Sequence, residues 1–273
     1  MSLIIDQLKE TVGFIRDKYP TVPEVGIVLG SGLGNFLKDI TVEVAVPYED
    51  IPHFPVSTVK GHEGALVFGS IRDKKIVAMA GRFHFYEGYT AAEVIYPIRV
   101  MKLLGVKHLL LSNAAGGVNP DFKVGDLMMI NDHISLAAVN PLLGPNDDLL
   151  GPRFPDMSEP YCPKLRAKAS AICASLNIPL KEGVYFGVTG PTFETRAEYK
   201  MINRLGADAV GMSTVQETIA AVHMGLPVFA VSVITDLGIT DQPAAITHEE
   251  VLEAAGKAEP LLTALFKQLI IEL

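Results

Sequence analysis

The sequence predicts an α/β fold, a mixed, largely parallel β-sheet flanked by helices on both faces, organised as one domain over 1–273. Three observations predict it. Short apolar runs alternate with amphipathic stretches along the whole chain, the pattern of strands covered on both sides. Helix starts are marked by capping signatures: Thr90, Thr195, Thr214 and Thr247 precede Glu93, Glu198, Glu217 and Glu250, each three residues on. In such a pair the hydroxyl caps a free amide while the Glu reaches back to the cap. The length, 273 residues, is ample for a real core.

In chain order, "MSLIIDQLKETVGFIRDKY" places Ile4, Leu8, Val12 and Ile15 at helical spacing, so it reads as an amphipathic helix. It is too polar for a spanning or signal segment, so a cytoplasmic protein without a membrane partner is expected. Strands are expected at 25–29, 42–46, 65–71, 76–80, 109–112, 127–130, 183–188, 209–212 and 228–235. The turn "RDKK" joins the third and fourth as a hairpin. Gly105 and Gly206 sit where helices would stop. The stretch 140–163, rich in Pro, Gly and Asp, reads as a long loop, and such loops tend to be functional.

Composition narrows the partners. The formal net charge is −8 and no Lys/Arg cluster stands out, so nucleic acid is not an expected partner. Cys162 and Cys173 lack metal-ligand spacing, so neither a disulfide framework nor a metal site is expected.

The stretch "GIVLGSGLG", 26–34, invites a dinucleotide reading. Yet Gly30, Gly32 and Gly34 are spaced G-x-G-x-G, and "NFLKDI" leaves room for barely two helical turns. The fingerprint needs G-x-G-x-x-G and a full helix. What remains is a tight turn with one hydroxyl, Ser31, which either points amides at an anion or simply lets a strand meet a helix.

Other strand ends carry polar groups of complementary kinds. "AGRFHFYEGY" follows an apolar run, and Arg82, His84 and Tyr86 project to one side if the chain stays extended. Arg82 offers a planar donor fork suited to phosphate. "LLLSNAAGGVN" places Asn113 before small residues that let a ligand approach the backbone. Phe193 and Glu194 precede the Thr195 cap, Met212 and Ser213 precede the Thr214 cap, and Thr235 and Asp236 end a buried strand. His248 follows the Thr247 cap. Each is explicable alone as a capped helix. Together they form a phosphate donor set, a ring-stacking aromatic, a carboxylate and a hydroxyl reader.

With "STVKGHEG", "NPLLGPND", "RFPDMS", "GPTFET", "GADAVGMST" and "THEEV", these blocks resemble the trimeric purine nucleoside phosphorylases from about residue 20 to 255. The resemblance implies one α/β domain assembled as a homotrimer. It implies cleavage of purine nucleosides by inorganic phosphate to a free base and a pentose 1-phosphate, with no metal and no cofactor beyond that co-substrate. It places Ser31, His62, Arg82, His84, the Ala114 amide and Ser213 on phosphate. Tyr86 and Met212 would contact ribose, and His248 would read the 5′-hydroxyl. Phe154 would cross into a neighbouring subunit's site. Asn113, Phe193, Glu194, Thr235 and Asp236 would surround the base. His84, Asn113 and Asp236 would carry the chemistry.

One departure matters. Members of the family acting on 6-oxopurines usually carry Asn where this chain has Asp236. An ionised carboxylate only accepts hydrogen bonds, so it suits the amine of adenine and repels O6. Glu194 points the other way and suits the N1–H of guanine and hypoxanthine. A buried Asp236 with a raised pKa, donating a proton, reconciles the two. Guanosine and inosine are then the expected substrates, with adenosine also accepted. Three other readings stand beside this one. A methylthioadenosine phosphorylase would need an apolar pocket where His248 stands. A nucleoside-binding protein without turnover would have little use for Arg82, His84 and Asn113. A nicotinamide oxidoreductase lacks its fingerprint.

Overall fold

In the computed structural model, which describes residues 3–56, 64–239 and 246–273, the N-terminal stretch forms helix α1 (Leu3–Lys18). Its buried stripe is Ile5, Leu8, Thr11, Val12 and Ile15, so Ile5 takes the place expected of Ile4. The stripe packs on α3 (Tyr96–Leu104), and the Thr11 and Tyr96 hydroxyls meet at 2.7 Å.

Nine strands follow among the described residues: β1 (Val25–Val28), β2 (Thr41–Pro47), β3 (Ala65–Ile71), β4 (Lys74–Ala80), β5 (His108–Gly117), β6 (Leu127–Ile134), β7 (Leu180–Gly187), β8 (Ala209–Gly211) and β9 (Val228–Leu237). The β3–β4 hairpin turns on Arg72 and Asp73, as the sequence predicts. The sheet is mixed, with five parallel and four antiparallel pairings. Strands run β2-β3-β4-β1-β5, then β8-β7-β6-β9, and β9 returns to pair with β5. The last five strands therefore close on themselves, and β5 belongs to both parts.

That shared strand positions the site. One edge of β5 pairs with β1 from His108 to Leu111 and with β8 at Gly116 and Gly117. Between them, 112–115 faces a fork where β1 and β8 diverge. Ligands of α/β sheets bind at such switch points. The small residues after Ser112 were expected to follow the strand, but they lie within it, because β9 pairs along the whole of β5.

Helices cover both faces. One core joins α1, α3 and α6 (Val215–His223) to the sheet, and the other joins α4 (Pro163–Leu176) and α7 (His248–Ile271). The short α2 (Ala91–Val94) and α5 (Arg196–Arg204) complete the set. The caps of α2, α5 and α7 form as read: Glu93, Glu198 and Glu250 accept from the Thr90, Thr195 and Thr247 amides at 2.7, 2.6 and 3.0 Å. Glu217 accepts from the Thr214 amide in the same way, at 2.9 Å, but the Thr214 backbone and hydroxyl depart from the other three caps. Thr214 sits at φ 70°, ψ −46°, and Val215 N–H reaches back to the Ser213 carbonyl at 2.7 Å. This is a γ-turn of the rare, strained hand. Its hydroxyl points to the fork and accepts from Asn113 Nδ2 at 2.8 Å. Among the described residues no helix is long and apolar enough to cross a membrane.

Candidate active site

The glycine turn after β1 closes one end of the fork. A Cβ at Gly30 would lie 2.7 Å from Asn113 Cα, so close approach to β5 demands glycine there. Gly30 N–H donates to Ser112 Oγ at 3.2 Å, which ties the turn to β5 and sets Ser31 at the cavity wall. The segment Gly34–Asp39 is a 3₁₀ turn rather than a dinucleotide-binding helix. It is held from α7 by buried Glu259, which accepts from Asn35 Nδ2 at 2.7 Å and from Phe36 N–H at 3.3 Å.

Arg82 and His84 leave β4 toward the same fork. Arg82 is 1 % exposed, far from the solvated state usual for arginine at a strand end. Its Nε and Nη2 donate to the two oxygens of Glu217 at 3.1 and 2.8 Å. Its Nη1 donates to the Ser112 carbonyl at 2.6 Å and to Ser213 Oγ at 3.3 Å. All three nitrogens of the expected donor fork therefore have protein partners, the longest contact being the one to Ser213. Glu217 also accepts from Thr214 N–H at 2.9 Å. Its position as a capping residue concealed this second role.

Beyond His84 the chain does not stay extended: Phe85–Glu87 is a 3₁₀ turn. It nonetheless stacks the His84 and Tyr86 rings, with centroids 4.6 Å apart. Glu87 accepts from His84 N–H at 2.8 Å and contacts Nδ1 at 2.9 Å. Burial lowers the His84 pKa more than Glu87 raises it, so the ring is held toward its neutral form.

The same cavity gathers an amide, acids and an aromatic ring. Asn113 is 1 % exposed; its amide nitrogen is spent on Thr214, and its Oδ1 is buried with no partner. Thr235 Oγ1 lies 3.1 Å from Asp236 Oδ1 and 3.3 Å from the Ala115 carbonyl. Burial pushes the Asp236 carboxyl above its ordinary range. Burial also raises Glu194, and the nearby Asp236 charge adds to it. Tyr199 stands against both acids. The capping geometry explains why: Glu194 precedes the Thr195 cap and Tyr199 is the fourth helical residue, two positions that pack together at a helix start. Sequence reading missed Tyr199, although that spacing is its signal.

Many of these groups line one solvent-open cavity. Its wall includes Ser31, Arg82, His84, Tyr86, Asn113, Ala114, Phe193, Glu194, Met212, Ser213, Thr235, Asp236 and His248. The sequence reading missed Val210 and Val251, apolar members of the wall. Phe154 does not reach the cavity; it is 86 % exposed on the loop between β6 and α4. His62 lies outside the described residues.

Residues 24–271 match the phosphorylase superfamily. A purine nucleoside phosphorylase 1 from Geobacillus stearothermophilus is 50 % identical over 254 residues, 92 % of each chain. Isoform 2 of the Schistosoma mansoni purine nucleoside phosphorylase, solved with cytosine and ribose-1-phosphate, superposes with a TM-score of 0.94 at 45 % identity, covering 98 % of this chain and 96 % of that one. A Schistosoma mansoni purine nucleoside phosphorylase solved with adenosine has a TM-score of 0.93 at 41 % identity, covering 98 % of both chains.

Proposed function

Since this chain belongs to the purine nucleoside phosphorylases of the phosphorylase superfamily, we propose that its cavity cleaves guanosine and inosine with inorganic phosphate and accepts adenosine as well. The observation that carries the reading is the company one cavity keeps: hydroxyls, a guanidinium and two raised carboxyls in a single wall.

Ser31, Ser213, the Ala114 amide and Arg82 hold phosphate. Glu217 offsets the Arg82 charge and His84 is kept toward neutrality, so aimed donors rather than net positive charge bind the dianion. Tyr86, Met212 and His248 orient the ribose. As the glycosidic bond breaks, the sugar becomes cationic and phosphate beside C1′ stabilises it before bonding. Holding both reactants in line is worth about 7–11 kcal/mol. The purine departs with negative charge, and a protonated Asp236 beside the base stabilises it, as an oxyanion hole would. No protein nucleophile and no cofactor takes part. The expected assembly is a homotrimer, in which the exposed Phe154 ring would complete a neighbour's ribose end.

The polar His248 at the 5′ position disfavours a methylthio substituent. Initial rates of base release on inosine, guanosine, adenosine and methylthioadenosine, with and without phosphate, test the reading. Strictly phosphate-dependent release from the first three is expected. Release that ignores phosphate, or a preference for methylthioadenosine, contradicts it.

A further inference from the structure

Tyr199 lines the cavity, yet phosphorolysis as derived above gives it no part. Its ring is 4 % exposed and lies against Gly238, where a Cβ would stand 2.1 Å from the ring. Contact with that backbone confines the ring, and its hydroxyl feels the charges of both Glu194 and Asp236. Asp236 Oδ1 meets the Thr235 hydroxyl, while Oδ2 is buried with no hydrogen bond of good geometry. Gly116 packs against that same oxygen: a Cβ there would lie 3.0 Å from Oδ2. The Tyr199 hydroxyl, which lines the same cavity, is likewise buried with no hydrogen bond of good geometry, so a donor and an acceptor are left over side by side. Glu194, if ionised, keeps a bond from its own backbone amide. Burial, then the two carboxylates, hold the Tyr199 phenol far above its ordinary pKa, so it remains a neutral O–H.

We propose that Tyr199 is a positioning residue that sets base specificity: it lets one proton rest on either Asp236 or Glu194, so that one cavity reads both 6-oxo and 6-amino purines. The inference rests on the purine reading of the cavity. A 6-oxopurine presents N1–H as donor and O6 and N7 as acceptors. It needs Glu194 ionised and Asp236 protonated. Adenine presents N1 as acceptor and its amine as donor, and needs the reverse.

The exchange is balanced. Asp236 gives its carboxyl proton to the Tyr199 oxygen, and the Tyr199 O–H proton passes to Glu194. Before and after there is one carboxylic acid, one carboxylate and one phenol, so the buried charge does not change. In either state the phenol accepts from the acid and donates to the carboxylate. Removing the hydroxyl therefore penalises the state with Asp236 ionised, the adenine-reading one, because Oδ2 then loses its donor.

The experiment measures kcat/KM of wild type and Tyr199→Phe on inosine and adenosine, with thermal melts of both proteins. The expected result is a loss on both substrates, with the adenosine-to-inosine ratio falling about tenfold or more, the size of a hydrogen bond to a charged group. A simple packing defect would lower both alike, so an unchanged ratio overturns the proposal. Wild type that cleaves inosine but never adenosine also overturns it while leaving phosphorolysis intact. Wild type that releases neither base overturns the purine reading itself. A second measurement needs no variant: calorimetry of hypoxanthine and adenine binding in buffers of different ionisation enthalpy. No net proton exchange is expected for either base, and uptake of a proton with adenine alone overturns the proposal.

Discussion

Replacing Glu217 with alanine is expected to cost about 3–5 kcal/mol of folding stability, because it strands a buried arginine without its partner. Arg82 and Glu217 are 1 % and 4 % exposed at their side chains and pair through both carboxylate oxygens. The same carboxylate holds the Thr214 amide in its strained turn. Its loss frees Ser213 and Arg82 together, so the phosphate KM should rise with the loss of stability. Thermal melts and phosphate saturation curves check this. The double variant Arg82→Met, Glu217→Leu separates the two effects. Removing both charges should recover much of the stability, since apolar pairs of similar volume commonly match buried ion pairs. It should recover no phosphate affinity. A Glu217→Ala protein as stable as wild type would show that the pair matters little to the fold.

Asp236→Asn should shift base preference strongly. The amide cannot share a proton with Glu194, and it donates readily to O6 or N7. Adenosine cleavage should fall relative to inosine by about 10–100-fold, the worth of a hydrogen bond to a charged group. The pH dependence should change as well. A raised Asp236 pKa means that its proton is held above the ordinary carboxylate range and is lost as pH rises through the raised value. Inosine cleavage by wild type should therefore decline on the alkaline side of that value, where both acids are ionised. In Asp236→Asn that decline should disappear. Unchanged adenosine rates in the variant would remove any special role for this aspartate.

The local features of the fold were legible because local chemistry decides them. Apolar runs such as "VGIV" bury on both faces of the sheet, and a Thr–Glu pair caps a helix wherever it stands. Non-local features were not. Nothing in β5 announces that β1 and β8 share one of its edges, so the closing of five strands on themselves, and the fork it makes, emerged only in three dimensions. The spacing of Arg82, His84 and Tyr86 predicts that they share one side, and they do line one cavity, but by another route, since the chain turns after His84. Glu217 was hidden by having two roles at once, cap and counter-ion. Tyr199 was hidden because tyrosine in a helix ordinarily signals packing. The opposed preferences of Glu194 and Asp236, by contrast, followed from side-chain chemistry alone, and their burial sharpens the conflict.

The central claim is that one cavity brings phosphate to the anomeric carbon while the two acids hold the departing purine. Crystals soaked with hypoxanthine and ribose 1-phosphate test it most directly. The account predicts phosphate oxygens within about 3 Å of Ser31 Oγ and the Arg82 guanidinium, at ordinary hydrogen-bond distance. It places hypoxanthine against Phe193 with its N1 and O6 edge toward Glu194 and Asp236. A base bound away from those acids, or a phosphate bound away from Ser31 and Arg82, would contradict it.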